Sequence, residues 1–225
     1  MTATQVLVPV KALGLAKSRL SDVLTARERA ELVLAMMRDT VSAAMAAGDV
    51  AVTVITGDER VAGAARACGA EVFPDPVAPG SPDPLNSALR AAARRVRESV
   101  PDAELVALQA DLPALRPEEF ARAREVARGS GSAVVTDHTA GGTTALFHCV
   151  PGSMPPLHFG PDSARLHVAA GAVAVPDAVP GLRLDVDTIA DLVAAARLGV
   201  GEATAAVSDE LGFTVSRPAR QNVVS

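Results

Sequence analysis

"TARERAELVLAMMRDTVSAAMAAGDVAVTVIT", residues 25–56, decides the architecture. Thr25 and Glu28 have the spacing of a capping box. Apolar side chains recur at Leu32, Met36 and Val41, and Gly48 can end the helix. "VAVTVIT" then has the β-branched density of a strand. The same alternation runs outward on both sides. "QVLVPV" precedes it as a first strand, and a helix over about Glu59 to Cys68 and a short strand "AEVF" follow. Strand and helix in strict turn predict an α/β fold, three layers deep, with a mostly parallel sheet covered on both faces.

Further along, a Pro-rich loop, "PDPVAPGSPDPLNSAL", enters a helix that Asp83 can cap and whose first turn Pro84 suits. "LVALQ" reads as a strand, a helix starts near Pro117, and "SAVVT" and "TALFHCV" read as strands. "GLRLDVDT" reads as a strand leading into a last helix, "TIADLVAAARLG". The connection "PGSMPPLHFGPDSARLH" is too long to be a mere link, which points to function. The expectation is one domain over residues 1–212, with an excursion near 136–175 and a loose tail over 213–225.

Composition narrows the function. Of the 225 residues 49% are apolar but only 2% aromatic, so the core must be built from Ala, Val and Leu. With no Trp or Tyr there is little to stack on bases, and a net charge of -5 disfavours a polyanionic partner; nucleic acid is not expected. Cys68 and Cys149 lie far apart in apolar surroundings and read as reduced core residues, as in a cytoplasmic protein. The start shows no signal-peptide pattern, and no apolar run reaches membrane-spanning length.

"VALQADLPAL", residues 106–115, ends a buried-looking strand in one acid, Asp111. Ligands of an open parallel sheet bind beyond the carboxyl ends of its strands, which is where Asp111 lies. In "RLDVDT", Asp185 and Asp187 are two apart on an extended segment and point the same way. Like charges that close need a cation, and hard oxygens suit magnesium. The competing reading makes Thr188 and Asp191 a helix cap, and both readings can hold together. "PVKALGLAKSRLS" puts Lys11, Lys17 and Arg19 in the first strand-to-helix loop, where phosphates are commonly gripped, yet it has neither a dinucleotide fingerprint nor a Walker A loop. "HFGPDSARLH" offers Gly160 before a helix that Asp162 and Ser163 open. The four histidines show no ligand spacing and read as surface or packing residues.

Taken together, "PVKALGLAKSRLS", "PDPLNSAL", "LQADLPAL", "GGTTAL", "HFGPDSARLH" and "LRLDVDTIADL" resemble the phosphoenolpyruvate or 2-phospho-L-lactate guanylyltransferases of coenzyme F-420 biosynthesis, in order from about Val6 to Gly201. The resemblance implies a nucleotidyltransferase fold of the glycosyltransferase-A, Rossmann-like type. It implies GTP and Mg2+, with Asp111, Asp185 and Asp187 on the metal. Thr144, Gly160 and Ser163 would bind the phosphorylated three-carbon acid. Lys11, Lys17 and Arg19 would meet the triphosphate, and Asn86 the nucleotide side. Asp111, Lys11, Lys17 and Arg19 would together be the catalytic set. Ala110 stands where the family usually has Gly, which requires an ordinary backbone there or a strained turn.

The implied reaction joins the acceptor phosphate to the α-phosphorus of GTP and releases pyrophosphate. The attacking oxygen is already ionised, so no general base is needed. The obstacle is anion repulsion, about 4 kcal/mol per unit-charge pair ~4 Å apart at an effective dielectric near 20. Phosphoenolpyruvate, 2-phospho-L-lactate and 3-phosphoglycerate all remain open as acceptors. A labile product makes handover to the next transferase plausible. Another nucleotidyl- or glycosyltransferase of the same fold, or a non-catalytic nucleotide-binding subunit, is the alternative reading.

Overall fold

In the computed structural model, which describes residues 3–15, 17–77 and 80–213, the apolar runs become strands β1 (Thr4–Pro9), β2 (Val50–Thr56), β3 (Glu71–Pro74), β4 (Glu104–Leu108), β5 (Ser132–Thr136), β6 (Thr143–His148) and β7 (Val173–Ala174). They form one sheet in the order β3-β2-β1-β4-β6-β5-β7. All neighbours are parallel except β6, which runs antiparallel to both β4 and β5. The reversal follows from the turn between Thr136 and Thr143, which is too short for the crossover a parallel pair needs.

The helices are α1 (Ala26–Ala46), α2 (Glu59–Ala67), α3 (Pro84–Ser99), α4 (Pro117–Ser130), α5 (Ser163–Ala169), α6 (Pro180–Arg183), α7 (Ile189–Leu198) and α8 (Glu202–Glu210). Thr25 and Glu28 close a reciprocal cap on α1, and Thr188 and Asp191 do the same on α7. Each supplies partners to amides that a helix start leaves open, worth about 1 kcal/mol. Asp83 does flank α3, but its carboxylate accepts from Asn86 and Arg90 rather than from a backbone amide.

Because the strands alternate sides, their continuous apolar runs feed two cores. Val6, Val8, Val106, Leu108 and Phe147 join Leu32, Met36, Met37 and Phe120 on one face. Leu7, Leu105, Val134 and Leu146 join Leu89, Leu157 and Phe159 on the other. Among the described residues no helix is long and apolar enough to cross a membrane.

One expected strand is absent. "GLRLDVDT" forms the single turn of α6 and then an irregular extended segment. Pro180 starts that turn, and β7 already occupies the sheet edge beside β5. The alternation still holds, since Val186 is fully buried between the partly exposed Asp185 and Asp187. Of the tail, Phe213 packs against the larger core, and residues 214–225 lie outside the described residues.

Candidate active site

Asp111 lies just past β4 and is fixed through its neighbours. Thr40, fully buried in α1, accepts from the amide of Leu112 at 3.1 Å, and its hydroxyl proton is shared between the carbonyl of Met36 at 2.9 Å and that of Ala110 at 3.2 Å. The carbonyl of Asp111 accepts from the amide of Val186 at 3.0 Å. Bonds to its main chain on both sides therefore hold the backbone of Asp111 at the sheet's C-terminal edge and tie it to the segment carrying Asp185 and Asp187. Ala110 is not among the described residues with positive φ, so its methyl group is accommodated without strain.

Lys17 reaches across from the first loop with a left-handed backbone, φ 53. Its ammonium pairs with Asp111 and, at 2.8 Å, with Asp187, while Arg19 pairs with Asp187 from the solvent side at 3.3 Å. Burial alone would lower the Lys17 pKa, but the two carboxylates outweigh it and hold the amine protonated well above the ordinary lysine range. Burial likewise opposes ionisation of Asp187, yet Lys17 and then Arg19 hold its pKa below the usual carboxylate value.

Asp185 behaves in the opposite way. Burial first, and the charge of Asp111 second, push its pKa up to about 6. The buried Oδ1 atoms of Asp111 and Asp185 both lack a hydrogen-bond partner. Among the described residues no three acidic, histidine or cysteine side chains come together closely enough to hold one ion. The expected three-aspartate grip is thus not assembled, because Lys17 stands between Asp111 and Asp187. What exists is a pair, Asp111 and Asp185, close enough for the charge of one to act on the other, whose Oδ1 atoms accept no hydrogen bond, a donor set that suits a divalent cation. His138, at 3.4 Å from both Asp185 and Asp191, borders the pair.

On the α3 and α5 side, the backbone from Leu157 to Phe159 is held by side chains rather than by a strand. Arg90 donates to the Leu157 carbonyl at 3.2 Å, and the amide of His158 donates to His167 at 3.0 Å. Asn86 donates to the Phe159 carbonyl and accepts from its amide, both at 2.8 Å. Gly160 follows at φ 133, a conformation that favours glycine. Ser163, 1% exposed, opens α5.

Two expectations change here. Asn86, expected to meet the nucleotide, is buried with its amide spent on Phe159 and Asp83, so it braces this loop instead. Thr144, to which the motif assigns acceptor binding, is 1% exposed and donates its hydroxyl to the Leu182 carbonyl at 2.6 Å. It fastens α6 to β6. Strand alternation turns Thr143 to the other face, where its hydroxyl meets His167 at 3.0 Å.

Lys11 is apart from this cluster. It lines a small pocket with Val10, Ile55, Asp75, Pro84 and Leu85, between the ends of β1 and β2 and the start of α3. Asp75 turns one carboxylate oxygen, Oδ1, to the amide of Val77 at 3.0 Å. Sequence reading missed Asp75, Thr40, His138 and His167. Only Asp75 had a local signal, as the acid that follows a strand and opens the Pro-rich loop.

The family described as "Guanylyl transferase CofC like" matches residues 4–223. A phosphoenolpyruvate guanylyltransferase of Nocardia farcinica is 50% identical over 222 residues, covering 97% of each chain. One from Mycobacterium marinum is 50% identical over 202 residues, covering 89% of this chain and 91% of that one. A crystal structure from Desulfovibrio desulfuricans G20, assigned to the nucleotide-diphospho-sugar transferases, superposes with a TM-score of 0.72 at 18% identity, over 95% of this chain and 99% of that one. The fold is therefore that of the nucleotidyl- and nucleotide-sugar transferases.

Proposed function

The chain belongs to the CofC-like guanylyltransferase family and is a nucleotidyltransferase, and from that premise we propose that it transfers GMP from GTP to phosphoenolpyruvate and releases pyrophosphate. In this reading it works in the cytoplasm, as a step toward coenzyme F-420, and hands its product to a further transferase. Residues 1–212 act as one catalytic unit.

The observation that carries the chemistry is the pair of buried Oδ1 oxygens on Asp111 and Asp185 that accept no hydrogen bond, with Lys17 beside Asp111 and His138 3.4 Å from that of Asp185. Asp111, Asp185 and Asp187 against Lys17 and Arg19 leave the cluster one charge negative, which repels a triphosphate. Asp111 and Asp185 would hold magnesium, which would reverse that sign and supply Lewis-acid stabilisation of phosphate charge. Lys17 and Arg19 bear on the triphosphate and stabilise the charge that gathers on the departing pyrophosphate. An acceptor phosphate oxygen forms the new bond to the α-phosphorus as the bond to the β-phosphate breaks. No proton has to move, so the reaction asks for no general base. Gly160 and Ser163 place the acceptor.

Guanine occupies the Lys11–Asp75 pocket. Its N1–H and N2 amino group are donors that a carboxylate accepts, and its O6 and N7 accept from a lysine. Adenine presents a lone pair at N1 and would meet Asp75 as a repulsion.

Pyrophosphate release, with product mass, is the test, run with GTP, ATP and CTP against phosphoenolpyruvate, 2-phospho-L-lactate and 3-phosphoglycerate, with magnesium and after chelation. The reading expects GTP with phosphoenolpyruvate and loss of turnover on chelation. Full activity after chelation, or preference for another nucleotide or acceptor, would overturn the corresponding part.

A further inference from the structure

We infer that His167 is a positioning residue for the acceptor. Its ring, set between Thr143 and the His158 backbone, holds one tautomer and thereby aims the Thr143 hydroxyl proton at an anionic oxygen of the bound acid. The inference rests on the reading of the Gly160–Ser163 side as the acceptor side.

Hydrogen-bond chemistry fixes the tautomer. The backbone amide of His158 can only donate, so Nε2 of His167, 3.0 Å away, must present a lone pair. A neutral imidazole then carries its one proton on Nδ1. Nδ1 lies 3.0 Å from the Thr143 hydroxyl oxygen and donates to it. With no lone pair left on Nδ1, the hydroxyl proton cannot return to the ring. It must go elsewhere, and no other bond from that hydroxyl exists among the described residues.

The ring's surroundings keep it neutral. His167 is fully buried, Phe159 meets it edge-on at 5.2 Å between centroids, and its pKa is pushed down to about 4, by burial first and by His158 second, against a bond with the Ser163 backbone. Thr143 itself is 6% exposed, at the entry to β6. A buried donor without a partner costs free energy, and a carboxylate or phosphate oxygen satisfies it with a charge-assisted bond. Through His167 the pair is tied to the loop whose backbone Arg90 and Asn86 hold.

Two substitutions of His167 separate its contacts. His167→Gln keeps an acceptor near the Nε2 position but loses the donor to Thr143. His167→Asn keeps a donor near the Nδ1 position. Thr143→Val removes the hydroxyl, and Thr143→Ser keeps it. Steady-state kinetics on the full chain, read by pyrophosphate release against each of the three acceptors, with thermal melting as a check on folding, compares them. Thr143→Val and His167→Gln should raise the KM of the acceptor used about ten-fold or more, leaving the GTP KM within about two-fold, because the bond acts on acceptor binding. Thr143→Ser and His167→Asn should recover most of the loss. An unchanged acceptor KM in Thr143→Val, or equal rises in both KM values, overturns the role of the pair. Use of a different acceptor overturns only the choice of phosphoenolpyruvate, and a wild-type chain that turns over none of the three overturns both readings.

Discussion

The amide of Val186 donates to the carbonyl of Asp111 at 3.0 Å. This bond joins the end of a central strand to a segment that belongs to no strand, so the carboxylates on either side move as one unit. Thr40 secures the other side of Asp111 through Ala110 and Leu112. The backbone that carries the acid is thus held on both sides, while Lys17 pairs with its carboxylate.

Thr40→Val should therefore cost stability and activity together. It leaves the buried Leu112 amide without a partner, worth about 1–3 kcal/mol. Denaturant melts should show that loss, and kcat should fall with little change in either KM. Thr40→Ser should restore both.

Asp111→Asn should keep the fold and lose nearly all turnover. The substitution preserves shape but removes one charge from the Asp111–Asp185 pair. A fall in kcat of about 100-fold or more is expected if charge stabilisation on the phosphates is lost. Calorimetric titration with magnesium should show weakened binding in the same variant. An unchanged kcat would remove Asp111 from the chemistry.

Asp75→Asn should blunt discrimination for guanine. Wild type should prefer GTP over inosine triphosphate, which lacks the N2 amino group, and the variant should narrow that ratio by about ten-fold, the worth of one charge-assisted bond. Competition between the two nucleotides, scored by product mass, reads it directly.

Acid should destabilise the protein through His167. Its folded pKa, about 4, lies below the ordinary histidine value of 6.5, so the unfolded chain binds the proton better. The stability it confers is complete above about pH 6.5 and is lost as pH falls toward 4. The loss at pH 5 is about 2 kcal/mol for a group so shifted. Burial raises the pKa of Asp39, which works in the opposite sense. Comparing wild type with His167→Asn at pH 7 and pH 5 cancels that contribution. Equal acid sensitivity in the two proteins would assign the loss elsewhere.

Much of this was legible in the chain. The capping box at Thr25 and Glu28 and the β-branched run behind it are local signals, and local physics delivered them. The runs feeding two cores read correctly as strands because burial on both faces removes polar alternation. The direction of β6 was not legible, since it depends on the span of one turn rather than on any residue in the strand. Nor was the loss of the strand at "GLRLDVDT", although Pro180 at the head of α6 was its trace. In the site, Asp111, Lys17, Arg19 and Asp187 converge as a cluster, but a motif could not say that Lys17 would separate two of the acids. Thr143 and Thr144 are adjacent in sequence and opposite in space. Which of them keeps a usable hydroxyl is decided by Leu182 and His167, far away along the chain.

The frame from Leu157 to Phe159 is fastened through carbonyls and amides, by Arg90, His167 and Asn86. Leu157 and Phe159 also pack into the smaller core, whereas the fastening of His158 uses only its amide. The exposed side chain of His158 can be exchanged without loosening the loop that displays it. The loop therefore has one position at its rim that can vary while the scaffold stays constant.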